Sequence, residues 1–230
     1  MRRLLLLVLL FSASGASAQS AGPSALDQTT RITVHGGWRL TSNDTFYERY
    51  YDLDEYKGLQ RAPASPGGPY VGATFGYSAS ELVEVGIDLF ATGERLQLTG
   101  SPPITTVTYG ALVGLRFQAL LDVLTANGVV PFIGLQSGPV LVLSSVDGPG
   151  IRETFTQGWA GTVGVNFRLS PHWGLAADYR LVFARGINPF SGSGLPGLKD
   201  LGSYNAGGNW FSVGVTFFFP PTTIKLPGDR

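Results

Sequence analysis

Large apolar residues occupy every second position in eight stretches of this chain. The clearest runs from residue 209 to 219. There Phe211, Val213, Val215, Phe217 and Phe219 alternate with Ser212, Gly214 and Thr216. Strict period-two alternation marks a strand with one greasy face. The first such stretch is Thr30 to Leu40, with Ile32, Val34, Trp38 and Leu40 on one face and Thr33, His35 and Arg39 on the other. Further strands are predicted from 71 to 78, 83 to 89, 106 to 117, 130 to 143, 154 to 168 and 173 to 184. The 130–143 stretch is the least regular, because Ile133, Leu135, Leu141 and Leu143 face one way while Phe132, Val140 and Val142 face the other. Gly138-Pro139 is therefore expected to mark a bulge or bend.

Connections between these strands alternate in length. Residues 41–69, 92–104, 145–152 and 186–208 read as loops rich in Gly, Pro and Ser. Residues 79–81 and 170–172 read as tight turns, and 119–128 as a medium connection with room for a helical turn. Long loops at one end and short turns at the other suit a barrel that crosses a membrane. Most of the strands approach the 9–11 residues that a tilted strand needs to cross the hydrocarbon layer.

Charge decides which face is which. Across the predicted strands no Lys, Arg, Asp or Glu falls in the apolar phase. The opposite phase carries His35, Arg39, Glu84, Asp88, Arg116, Arg168, Asp178 and Arg180. A water-soluble barrel would be apolar inside and charged outside. The inverted pattern predicts an all-β, closed, eight-stranded, antiparallel, up-and-down transmembrane barrel. Closure requires the first and last strands to pair, because an open edge in lipid leaves backbone groups unsatisfied. Aromatic girdles are expected at Tyr77, Phe117, Phe167, Trp173 and Phe219 near the turns, and at Trp38, Tyr109, Phe155, Trp159, Phe183 and Phe211 toward the loops.

The N-terminus reads as an address. Arg2 and Arg3 precede the apolar run Leu4 to Phe11, and Ala16-Ser17-Ala18 offers a small-residue cleavage site. Residues 1–18 are thus expected to be a cleaved signal peptide, followed by a lead at 19–29, the barrel at 30–219 and a periplasmic tail at 220–230. The chain has no cysteine, only 14% charged residues and 32 glycines in 230. Disulfides and thiolate metal sites are excluded. No basic run suggests nucleic acid, and no cofactor motif is present.

In pattern and layout, residues 30–219 resemble the small eight-stranded outer-membrane barrels, the OmpA-transmembrane, OmpX and Opa group. Ser212, Gly214, Phe217 and Phe219 also fit the last-strand assembly signal of bacterial outer-membrane proteins. The resemblance implies a Gram-negative outer membrane, contact with its lipids and recognition by the barrel assembly machinery. The tail after Phe219 departs from the many members that end on the final aromatic.

The interior of an eight-stranded barrel is just wide enough for side chains. Buried charges there need partners, and Glu84 and Arg116 are expected to pair or share a network that plugs the lumen. The most distinctive loop holds Tyr47, Tyr50, Tyr51 and Tyr56 interleaved with acids including Asp52 and Asp54. Tyrosine-rich loops on rigid scaffolds make contact surfaces, so the loop is a candidate site for an extracellular ligand; the alternative is that its tyrosines fold over the barrel mouth or sit at the headgroup level. Asp52-Leu53-Asp54-Glu55 lacks the spaced ligand set of a calcium loop. The expected function is a monomeric structural or surface-interaction scaffold. The alternatives are a narrow channel for small or apolar solutes and, third, a lipid-modifying enzyme using His35, for which no Ser or Asp stands at a telling spacing.

Overall fold

A computed structural model describes residues 26, 28–121, 128–146, 150–188, 190 and 201–219. The signal peptide, most of the lead, the tail and the expected helical turn in 119–128 fall largely or wholly outside these residues. The elements run β1 (Thr30–Leu40), α1 (Asp44–Tyr51), β2 (Gly68–Ser78), β3 (Val83–Leu96), β4 (Ile104–Gln118), β5 (Val129–Val146), β6 (Gly150–Arg168), β7 (Trp173–Phe183), β8 (Arg185–Gly186), β9 (Tyr204–Asn205) and β10 (Gly208–Phe219). Eight of the strands close in the order β1-β10-β7-β6-β5-β4-β3-β2, while β8 and β9 form a separate pair. The seam is antiparallel, from Thr30 opposite Phe219 to Leu40 opposite Asn209. Among the described residues no helix is long and apolar enough to cross a membrane. The crossing elements are the strands.

The outward phase is the apolar one. Leu135 and Phe155 are each 75% exposed and Val213 is 70% exposed. In water such a band would be untenable, and in lipid it is the anchoring surface. Among the described residues, charges in the outward phase of the eight barrel strands appear only high on the wall, at Arg95 and Glu153. Just below them lies a row of Tyr109, Leu141 and Phe155, which are register partners. The switch from aromatic to charged marks the upper edge of the lipid band.

Wall height is unequal. β1, β2 and β7 have 11 residues each, whereas β5 has 18 and β6 has 19. The expected loop at 92–104 is shorter than read, because β3 continues to Leu96 and β4 starts at Ile104. The expected loop at 145–152 is a hairpin whose ladder reaches Val146 opposite Gly150. Both extensions lie above the lipid band, where a ladder no longer needs an apolar face. Residues 41–69 hold α1 and the start of β2, and 186–208 hold β9 and the start of β10, so neither is wholly loop.

The expected bulge at Gly138-Pro139 is absent. Register with β4 is the same on both sides, Gly110 opposite Val140 and Val113 opposite Ser137. Pro139 lacks a backbone N–H, so rungs toward β4 are lost without an inserted residue. Phe132, Val140 and Val142 therefore all point inward. The irregular pattern reflects an interior that is apolar in places.

Candidate functional site

Two layers fill the lumen. The lower layer is a chain of alternating charges contributed by β1, β3, β4 and β7. Arg31 grips Glu84 through Nε at 2.5 Å and Nη2 at 2.7 Å. Arg116 lies 3.7 Å from Glu84 and donates to both Asp88 oxygens at 3.0 and 3.1 Å. Arg180 donates to Asp88 at 2.9 Å and to Asp178 at 2.8 Å. Three guanidinium groups thus alternate with three carboxylates. Thr74 donates to Asp88, and Arg31 also donates to Thr33 at 2.7 Å. A buried set of this kind persists because each charge faces its opposite; among the described residues, Arg116 Nε is buried without a hydrogen-bond partner.

Glycine makes the room. A Cβ at Gly76 would stand 2.6 Å from the Glu84 carboxyl carbon, and one at Gly134 would stand 2.8 Å from Cγ of Arg116. Much of the high glycine content of the strands is the complement of large luminal side chains. Phe132 closes the layer from β5, with the Arg116 guanidinium 4.9 Å from its ring centre.

Not every expected member joins this network. Glu84 takes its short bonds from Arg31, with Arg116 more distant. Arg39 sits apart, near the loop end, donating to Glu94 at 2.6 Å and to the Ala206 carbonyl at 2.7 Å. Arg168 is buried with its guanidinium 4.6 Å from the Phe218 ring centre. Arg31 and Glu94 were missed by the sequence reading. Arg31 shares the phase of Thr33 and His35, and Glu94 that of Asp88, so parity was the available signal.

His35 is crowded from several sides. Ser212 lies 3.3 Å from Nδ1, Arg180 3.3 Å and Asp178 3.9 Å from the same atom. Tyr70 approaches Nδ1 at 3.2 Å and Nε2 at 3.5 Å, and Thr74 reaches Nε2 at 3.5 Å. A hydrolytic relay needs nucleophile and acid on opposite ring nitrogens. Here Ser212 and Asp178 both lie on Nδ1, and the Thr74 hydroxyl near Nε2 is donated to Asp88, all of them buried or nearly so. The geometry is that of a structural histidine. Among the described residues no group of His, Asp and Glu is arranged to hold a metal.

The upper layer is apolar, against the expectation of a wholly polar lumen. Trp210 is 1% exposed and packs against Tyr70 and Phe90, with ring centres 4.8 and 4.9 Å away. Val140, Leu112 and Val182 complete the floor. The roof is α1. Its Phe46, Tyr47 and Tyr50 are buried on one face while Glu48 and Arg49 stay exposed. So short a helix depends on tertiary packing for its stability. Tyr50 stacks on Tyr56 with ring centres 4.4 Å apart and donates to the Thr99 carbonyl at 2.9 Å. Burial pushes the Tyr50 phenol well above its ordinary range. Tyr51 accepts from the Ala62 and Thr99 amides.

These contacts fold the tyrosines over the barrel mouth, the alternative to a contact surface. Tyr47 and Tyr50 are fully buried, and Tyr51 and Tyr56 pack partly buried against the same cluster. Asp52 and Asp54 are exposed. The tyrosines cork the mouth because amphipathic rings bury more favourably over an apolar floor than in water. In the last strand, Ser212 faces the lumen while Phe217 and Phe219 are exposed on the lipid face. Gly214 lies against β1, where a Cβ would stand 2.5 Å from the Val34 carbonyl.

No protein-family model matches this sequence, and neither does any curated protein. Solved structures do match. The outer membrane protein OprG from Pseudomonas aeruginosa is similar over 85% of this chain and 98% of its own, with 13% identity and a TM-score of 0.54. Neisserial surface protein A covers 86% of this chain and 99% of its own at 15% identity and a TM-score of 0.49. The likeness to OprG speaks to the fold, and it agrees with the closed sheet. The chain has the closed eight-stranded β-barrel fold that OprG also has.

Proposed function

We propose that this protein is a non-conducting outer-membrane scaffold whose working surface is the part of the wall that rises above the lipid. The carrying observation is the doubly filled lumen. A charge-balanced layer is overlaid by an apolar layer, and α1 is packed over both. A water-filled path would have to cross Trp210 and the Phe46, Tyr47 and Tyr50 roof, all buried. What remains accessible is the outside. β3 to β6 extend as a sheet beyond the shorter strands, and Ile151, Arg152 and Glu153 are exposed near its tip. Among the described residues, β6 has a β7 partner only from Trp159 to Arg168, so its upper part presents a sheet edge. Rigid edges of this kind bind extended segments of other proteins.

In this reading the chain is exported, inserted by the barrel assembly machinery through Ser212, Gly214, Phe217 and Phe219, and held as a monomer by outer-membrane lipids. An extracellular ligand would meet the raised sheet and the exposed acids of the lid, Asp52 and Asp54. Planar-bilayer recording tests the proposal. Purified barrel should insert without stable unit currents, whereas a reproducible conductance would favour the narrow channel.

A further inference from the structure

We propose that a notch in the barrel rim binds a lipid with a phosphate-bearing headgroup, its acyl chain lying in a groove on the outer face below. The notch exists because β7 stops early. β6 and β7 pair up to Trp159 opposite Phe183. Above that row the chain turns inward over the mouth. Ile187 donates to buried Thr154 at 3.2 Å, and Phe190 is fully buried. Among the described residues, the wall is therefore open between the upper part of β6 and the start of α1. A cleft of about 630 Å³ occupies the gap, lined by Asn43, Asp44, Arg49, Gln157 and Arg185, with Trp159 and Phe183 at its base.

Its chemistry is divided by height. Trp159 and Phe183 are about 60% exposed and form the top rung of the β6–β7 ladder; exposed aromatic rings are favoured at the headgroup level. Above them stand the exposed guanidinium groups of Arg49 and Arg185. Among the described residues, Arg49 donates to the Leu201 carbonyl at 3.4 Å. The cleft acid, Asp44, is engaged by Ser42 at 2.8 Å and by Arg61 at 3.5 Å. The first turn of α1 also opens here, adding the positive end of its dipole. Two arginines suit phosphate oxygens, which they bind with charge-assisted hydrogen bonds.

Below the aromatic pair the apolar half of the site begins. Gly161 follows Trp159 by two residues on the same face and lies in register between Leu135 and Leu181. A Cβ there would meet nothing closer than 4.0 Å. The missing side chain leaves a groove of about 470 Å³, walled by Phe117, Ile133, Leu135, Tyr179 and Leu181. A soluble anion would use the cleft alone, and a plain hydrocarbon the groove alone. An anionic lipid at the outer edge of the bilayer spans both.

The test uses the full chain in neutral detergent, titrated with phosphatidylglycerol and read by native mass spectrometry. Diacylglycerol with the same acyl chains and inorganic phosphate serve as the other arms. One phosphatidylglycerol should bind per barrel, with diacylglycerol weaker by about tenfold or more. Arg49→Gln with Arg185→Gln should weaken the phospholipid by about tenfold or more, and Gly161→Leu should do so separately by filling the groove. All three positions lie outside the packed interior, and a retained heat-dependent gel shift confirms that each variant is folded. Equal binding by wild type and both variants overturns the proposal. So does displacement of the lipid by inorganic phosphate with Gly161→Leu silent, which would identify a free-anion site.

Discussion

Asp88→Asn removes one charge from the middle of the alternating luminal chain while keeping the size of the side chain. The wild-type carboxylate is fully buried and accepts from Thr74, from Arg116 at 3.0 and 3.1 Å and from Arg180 at 2.9 Å. Each arginine contact carries an attraction of about 4 kcal/mol at 4 Å in an effective dielectric of about 20. Freeing the carboxylate from burial returns several kcal/mol of that. Two arginines left without their shared counter-charge give an expected net loss of about 3–5 kcal/mol. Arg180→Gln added to Asp88→Asn restores the balance, with Arg31 and Arg116 against Glu84 and Asp178. The pair should then show a coupling of about 0.5–3 kcal/mol. Equilibrium urea unfolding in lipid vesicles, followed by tryptophan fluorescence and extrapolated linearly, measures both. A single-variant loss below about 1 kcal/mol, the range of solvated surface pairs, would refute the view that this layer is a desolvated network.

Trp210→Ala should cost about 3–5 kcal/mol by leaving a cavity against Tyr70 and Phe90, measured in the same unfolding assay. Tyr204 donates to or accepts from Ser144 under the lid, and burial pushes its phenol up to about 12 from an ordinary 10.0. Its folded pKa is the higher, so its stabilising contribution is complete below pH 10.0 and is lost as pH climbs toward about 12. Tyrosinate absorbance should show a late-titrating group that Tyr204→Phe removes, and an unchanged titration would count against burial. Phe217→Asp with Phe219→Asp should abolish insertion, read as loss of the heat-dependent gel shift, because both residues face lipid.

Parity carried most of the fold. Odd positions such as Phe211 and Val213 could be assigned to lipid because the faces of a strand never mix, and the β1–β10 seam followed from the intolerance of lipid for open edges. Parity does not say that inward means polar. Trp210, Phe90 and Phe218 share the inward phase with Ser212, Asp88 and Thr216, and only the assembled barrel shows that the upper lumen is an apolar core. Strand tops were illegible for a related reason. Above the aromatic row, residues such as Arg95, Thr105 and Glu153 no longer alternate in hydrophobicity, although their backbones stay paired. α1 left a trace in the spacing of Phe46, Tyr47 and Tyr50, which the neighbouring acids obscured. The rim cleft left none, since Asn43, Gln157, Arg185 and Tyr204 meet only through the closed topology.

The seam has one more consequence. Thr30 and Phe219 stand side by side at the short-turn end, so the sheet is a ring whose covalent break falls between β1 and β10 by history rather than by mechanical need. Joining those ends and reopening the chain at the tight turn near Ser170 would leave every barrel ladder unchanged. β10 would then stay in the ring while its terminal sequence became internal. Such a circular permutant separates sealing the cylinder, which β10 does, from the assembly signal proposed for it.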